Sequence, residues 1–179
     1  MEEDTVIAQI ESAFSGVPRP EKKAITRCMC EECQEIRNDF STNDPHELDP
    51  SRMRYHSWDM TFLTPVARHY FLPRWMILGI RQPEMAYADA SIETLCYEDG
   101  WDVPGGYSLE QKKAIIDFLR FIRHRNGDRH DEDLEAAWEN WINPEVEYEE
   151  ESEQAVPSDG QKPSSSVATA DSTAPADAL

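Results

Sequence analysis

Apolar residues recur along this chain at intervals of three and four, the spacing that lines up one face of an α-helix. Val6, Ile7, Ile10, Ala13 and Phe14 mark a first helix, with Asp4 or Thr5 able to cap its start and Gly16 and Pro18 to stop it. Met29, Cys33, Ile36 and Phe40 place a stripe on one face of a second. Residues 41–50, with two prolines and several short polar side chains, read as turns. Thr64-Pro65 is an N-cap followed by Pro in the first turn, where a missing N–H costs little, and the helix it opens carries Val66, Ala67, Tyr70 and Phe71. Pro73 is expected to break or restart that helix before the nearly all-apolar run 75–80, which reads as the central helix and ends at Pro83.

Residues 91–97 form a shorter helical segment with Ile92, Leu95 and Cys96 inward, and 101–107, containing Pro104-Gly105-Gly106, a loop. Ser108-Leu109-Glu110-Gln111 matches a capping box, in which the Ser hydroxyl accepts from the third N–H while Gln111 reaches back to the cap. The helix it starts runs through Ile115, Ile116, Phe118, Leu119, Phe121 and Ile122 to about Asn126-Gly127, with Arg123, His124 and Arg125 against the negative end of its dipole. A last helix over 131–142 carries acids in its first turn and turns Leu134, Ala137, Trp138, Trp141 and Ile142 inward. No alternating segment of useful length appears. The expected fold is all-α: a single compact domain of about six helices over residues 1–144.

Composition changes the picture beyond Pro144. Residues 145–179 hold nine acids against one base, Lys162, and no aromatic after Tyr148. Such a segment cannot bury enough apolar surface to offset the entropy of ordering it, so it reads as a disordered acidic tail rich in Ser, Ala and Pro. The whole chain carries 36 acids against 17 Lys and Arg, a net charge of −19. That charge argues against a general grip on nucleic acid or an anionic membrane, all polyanions. The acidic start Met1-Glu2-Glu3-Asp4 does not resemble a secretory signal, and run 75–80 is far short of the ~20 apolar residues a bilayer needs. Three of the four cysteines crowd into six positions, unlike a secreted disulfide framework, so a reducing cytoplasm is expected.

Candidate chemistry is sparse. Cys28-Met29-Cys30-Glu31-Glu32-Cys33 holds a Cys-x-x-Cys pair with a third thiol two residues upstream. Three thiolates can occupy three corners of a zinc tetrahedron, and His46, His56 or His69 could supply the fourth only through the fold. The same spacing can support a redox dithiol, though that usually sits at a strand-to-helix junction, and the reading favoured on sequence is packing: Cys33 as a small hydrophobe on the second helix, Cys28 and Cys30 at its entry. Arg68 and His69 sit among aromatics, where a buried Arg usually pairs with a carboxylate; an anion-binding Arg beside a general base is the alternative. Arg120, Arg123, His124, Arg125, Arg129 and His130 form a basic cluster that reads as a helix end paired with Asp128, Asp131, Glu132 and Asp133 rather than as a phosphate site. No phosphate-binding glycine loop, nucleophile elbow or zincin motif is present.

Cys30-Glu31-Glu32-Cys33-Gln34-Glu35-Ile36, then Asp39-Phe40, then Phe62-Leu63-Thr64-Pro65 with Arg68 and Tyr70-Phe71-Leu72-Pro73, then Leu109-Glu110-Gln111 and a closing Trp138 and Trp141 resemble a family of small uncharacterised bacterial proteins, a domain of unknown function. The resemblance covers about residues 6–142 and implies a fold without an activity. No catalytic residue and no cofactor is therefore assigned. Two functions remain in view: a non-catalytic acidic cytoplasmic interaction protein that binds a basic protein partner, or a zinc-binding module or metal-dependent enzyme organised on Cys28, Cys30 and Cys33.

Overall fold

Where apolar residues repeat at three and four, helices form: α1 (Glu3–Phe14), α2 (Glu31–Phe40), α3 (Pro50–Tyr55), α4 (Pro65–Arg81), α5 (Tyr87–Cys96), α6 (Leu109–Arg125) and α7 (Glu132–Ile142). The computed structural model describes residues 2–41, 47–96, 106–127 and 131–142, all inside one unit, Met1–Val146. Six of the seven helices have ten residues or more. Among the described residues there is no strand, only an isolated bridge between Thr26 and Leu63. The protein is all-α. The acidic tail and most of the expected loop at 101–107 lie outside the described residues.

The long helices close a ring of pairwise packings: α1 on α4, α4 on α5, α5 on α7, α7 on α6, and α6 back on α1. Run 75–80 of α4 is buried throughout and sits at the centre, as its composition predicts. Pro73, however, does not break α4, which passes through it as one helix of 17 residues. An internal proline costs about 3 kcal/mol through its lost hydrogen bond and steric clash. Here Phe71 and Leu72 before it, and Trp75, Met76 and Ile77 after it, are all sunk in the core. Their burial outweighs the defect.

Other differences lie at helix boundaries. α1 begins at Glu3 after an uncapped Glu2, so neither Asp4 nor Thr5 caps it. α5 begins at Tyr87, four residues before the expected Ser91, because the Tyr87 hydroxyl donates to Pro50 O at 2.7 Å and its side chain is buried. Residues 47–63 contain more helix than expected: α3, capped by Asp49 accepting from Ser51 N–H, and a 3-10 stretch, Ser57–Phe62. Val66 is exposed rather than inward. Local signals fared well: Thr64 caps α4, the Ser108–Gln111 box closes in both directions, and α6 stops at Asn126 with Gly127 at φ 66°. α2 carries Cys33, Ile36 and Phe40 inward, and Phe40 meets the rings of Phe71 and Trp75, fixing α2 to α4. No helix among the described residues is long and apolar enough to cross a membrane.

Candidate metal centre

The segment before α2 is pinned at its base. Arg27 N–H donates to Phe62 O at 3.2 Å and Thr64 N–H to Ile25 O at 3.0 Å. Thr64, the α4 cap, also donates its hydroxyl to Ala24 O at 2.5 Å. Ile25 and Thr26 are buried, and Thr26 Oγ1 donates to Cys33 O at 3.3 Å. Beyond Arg27 the chain turns outward, so Cys28, Met29 and Cys30 are exposed. The Gln34 amide, donating to Met29 O at 2.7 Å, folds this turn back over the start of α2. Met29 is thus not on the inner stripe of the second helix: α2 begins at Glu31, and Met29 is 74% exposed in the turn before it.

This turn gathers the three thiols. Cys28 Sγ lies 2.7 Å from Cys30 Sγ and 2.8 Å from Cys33 Sγ, and all three sulfurs fall within 4.8 Å of one another. Cys33 is buried and the other two face solvent, and no disulfide joins them. The Cys28 thiol is held below its ordinary value, chiefly by hydrogen bonding with Cys30 and then with Cys33, with a smaller contribution from the charge of Arg37. Burial, then hydrogen bonding to Cys28 and Cys30, pushes Cys33 up to about 11. The unpaired N–H groups at the start of α2 add a positive end to the site. Three soft donors and one open side are a suitable set for a thiophilic divalent ion such as zinc. Zn–S bonds of about 2.3 Å set tetrahedral sulfurs ~3.8 Å apart, so an ion would spread these thiols by about 1 Å. The exposed turn bearing Cys28 and Cys30 can supply that.

Two of the histidines considered as a fourth ligand are engaged elsewhere. His56 is held between Asp39 and Asp59, and His69 donates from Nε2 to Gln111 Oε1 at 3.0 Å. His46 lies outside the described residues. Cys96 stands apart, its thiol donating to Asp133 O at 2.7 Å. Among the described residues Cys28, Cys30 and Cys33 are the one group placed for a metal.

Gln111 Oε1 also accepts Ser108 N–H, so His69 is tied to the capping box. Its ring packs against Phe14 and Tyr107, and burial lowers its pKa. Arg68 is buried beside Tyr107, and burial, then the charge of Arg27, lowers its pKa. In the basic cluster Arg120 pairs with Asp117 at 2.7 Å and Arg123 with Glu135 at 3.2 Å. Arg125 reaches across to donate to Gly79 O and Ile80 O, finishing α4 rather than its own helix. Arg129, His130 and Asp128 lie outside the described residues. The polar clamp around His56 went unread in the sequence, and only Asp59, three residues on, hints at it.

Fold and site together define a small all-α domain with three cysteine sulfurs gathered at the start of a helix. The chain belongs to the Family of unknown function (DUF6714), whose model matches residues 2–145. Nothing among curated proteins or solved structures matches it.

Proposed function

We propose that the protein is a metal-binding module that holds a zinc-class divalent ion through Cys28, Cys30 and Cys33. The observation that supports this is the convergence of the three sulfurs within 4.8 Å although two of their residues are exposed. Packing accounts for the buried Cys33. It does not account for Cys28 and Cys30, which gain nothing from burial and yet point their sulfurs at it. Full-length protein purified under reducing conditions should carry about one zinc per chain by elemental analysis, because three thiolates form a nearly complete zinc shell. Changing any of the three to Ser should lower that stoichiometry while the helical circular dichroism persists, and Cys96→Ser should leave it unchanged. Wild-type protein that takes up no zinc when offered an excess at neutral pH would end the proposal.

A net charge of −19 also suits docking of a basic protein partner. The acids opening α7 lend that reading little. Asp131 Oδ1 accepts Leu134 N–H at 3.1 Å as a helix cap, and Glu135 is paired with Arg123. Charge alone supports it.

A further inference from the structure

Arg37 stands one turn after Cys33 on α2, on the same face of the helix. It is only 6% exposed. No ion pair among the described residues includes it, and its Nη2 is enclosed without an acceptor. A guanidinium does not lose its proton in a protein, so it cannot escape the cost of burial by neutralising. A buried cation without a counter-charge is among the most unfavourable arrangements a fold can hold. The acids on the same helix do not answer it. Glu31, Glu32 and Glu35 are exposed, and Asp39 is held by His56 and Arg52. What α2 places near Arg37 is Cys33, one turn before it on the same buried face, and Cys33 Sγ lies 2.8 Å from Cys28 Sγ in the thiol cluster.

We infer that Arg37 is the counter-charge of a three-thiolate centre, and that the centre is completed, as a neutral unit, by a divalent cation. This rests on the metal reading above. Three thiols lose three protons to solvent as the ion binds; three thiolates and a divalent ion leave a charge of −1, which the guanidinium cancels. Empty, the site leaves Arg37 buried with no ion pair among the described residues. Arg37 is therefore a positioning residue: it touches no ligand atom of the ion and acts through the field it places on the sulfurs, as outer-shell groups do in other metal sites.

The two states give opposite signs, and this makes the inference testable. Full-length wild type, R37Q and R37K are compared for zinc affinity, by competition with a chromophoric chelator at one pH, and for the melting temperature of the zinc-free protein. R37Q should bind zinc about tenfold more weakly or worse, the usual effect of losing an outer-shell partner. Its zinc-free form should melt at or above the wild-type temperature, because an uncompensated buried charge has gone. R37K keeps the charge and should recover most of the affinity. Equal zinc affinity in R37Q and wild type overturns the role of Arg37 while leaving the metal site standing. So does a zinc-free R37Q that melts well below wild type or does not fold, and so does an R37K as weak as R37Q. If wild type itself takes up no zinc, the metal reading fails, and this inference with it.

Discussion

His56 is gripped from both sides. Its Nδ1 lies 2.8 Å from Asp59 Oδ2 and its Nε2 2.9 Å from Asp39 Oδ2, with the side chain 1% exposed. Each ring nitrogen thus faces a carboxylate oxygen, and the ring ties α2 to the 3-10 stretch. Phe40 and Tyr55 close round the ring. Removing it leaves two carboxylates facing each other across an emptied space. His56→Ala should cost about 3 kcal/mol, the scale for breaking a largely buried charged cluster, read as a fall in the urea midpoint. An unchanged midpoint would mean the clamp contributes nothing. The clamp was illegible in the sequence because Asp39 lies 17 residues away on another helix. Met29 failed for the opposite reason: spacing of 29, 33, 36 and 40 fits a helix face, but the helix starts two residues too late to include it. Arg37 looks ordinary in a sequence. Only burial, a property of the folded chain, marks it out.

Close packing between elements is set at one glycine. A Cβ on Gly79 would lie 2.8 Å from both the Cα and N of Ala88, backbone of α5 that cannot move aside without moving the helix. Gly79→Ala gains about 1 kcal/mol of helix propensity. Forcing α4 and α5 apart costs more, since overpacking a core runs to about 1–3 kcal/mol and the obstacle here is backbone. We expect a net loss of about 1–2 kcal/mol in a thermal or chemical melt, and a stabilised variant would show that the two helices can shift freely. Element existence was largely legible, since periodicity and caps are local: Thr64-Pro65 and the Ser108–Gln111 box each lie within four residues. Starts dictated from a distance were not. α5 owes its early start to a hydrogen bond spanning 37 residues, and α3 was too short to show a period.

For the molecule as a whole, charge is the dominant unbalanced quantity. Thirty-six acids against 17 Lys and Arg repel one another across the surface. Three of the four Lys and Arg ion pairs among the described residues are exposed at one partner or both, so their attraction is modest. Added salt screens both, with a Debye length falling from ~30 Å at 0.01 M to about 8 Å at 0.15 M. Repulsion, the longer-ranged of the two, loses more. The melting temperature should therefore rise over that salt range, by differential scanning calorimetry. A fall would show that surface pairs outweigh net repulsion. Fold class and overall acidity could be read from composition and periodicity alone. The thiol centre was half legible: its residues stood in the sequence, while their convergence came from a turn pinned to the start of α4.

That pinned turn has a consequence for how an ion there would relate to folding. The three cysteines span six residues, 28–33, and no part of the helical ring runs between them. Bridging them closes a loop so small that it removes little freedom from the unfolded chain. An ion at this place contributes to stability only as any ligand does, through its concentration and affinity. The helices bury their core with or without it. Occupancy and folding are thereby separable, unlike in a zinc finger, which unfolds when its metal leaves. A centre built this way can be emptied and refilled while the protein around it stays whole.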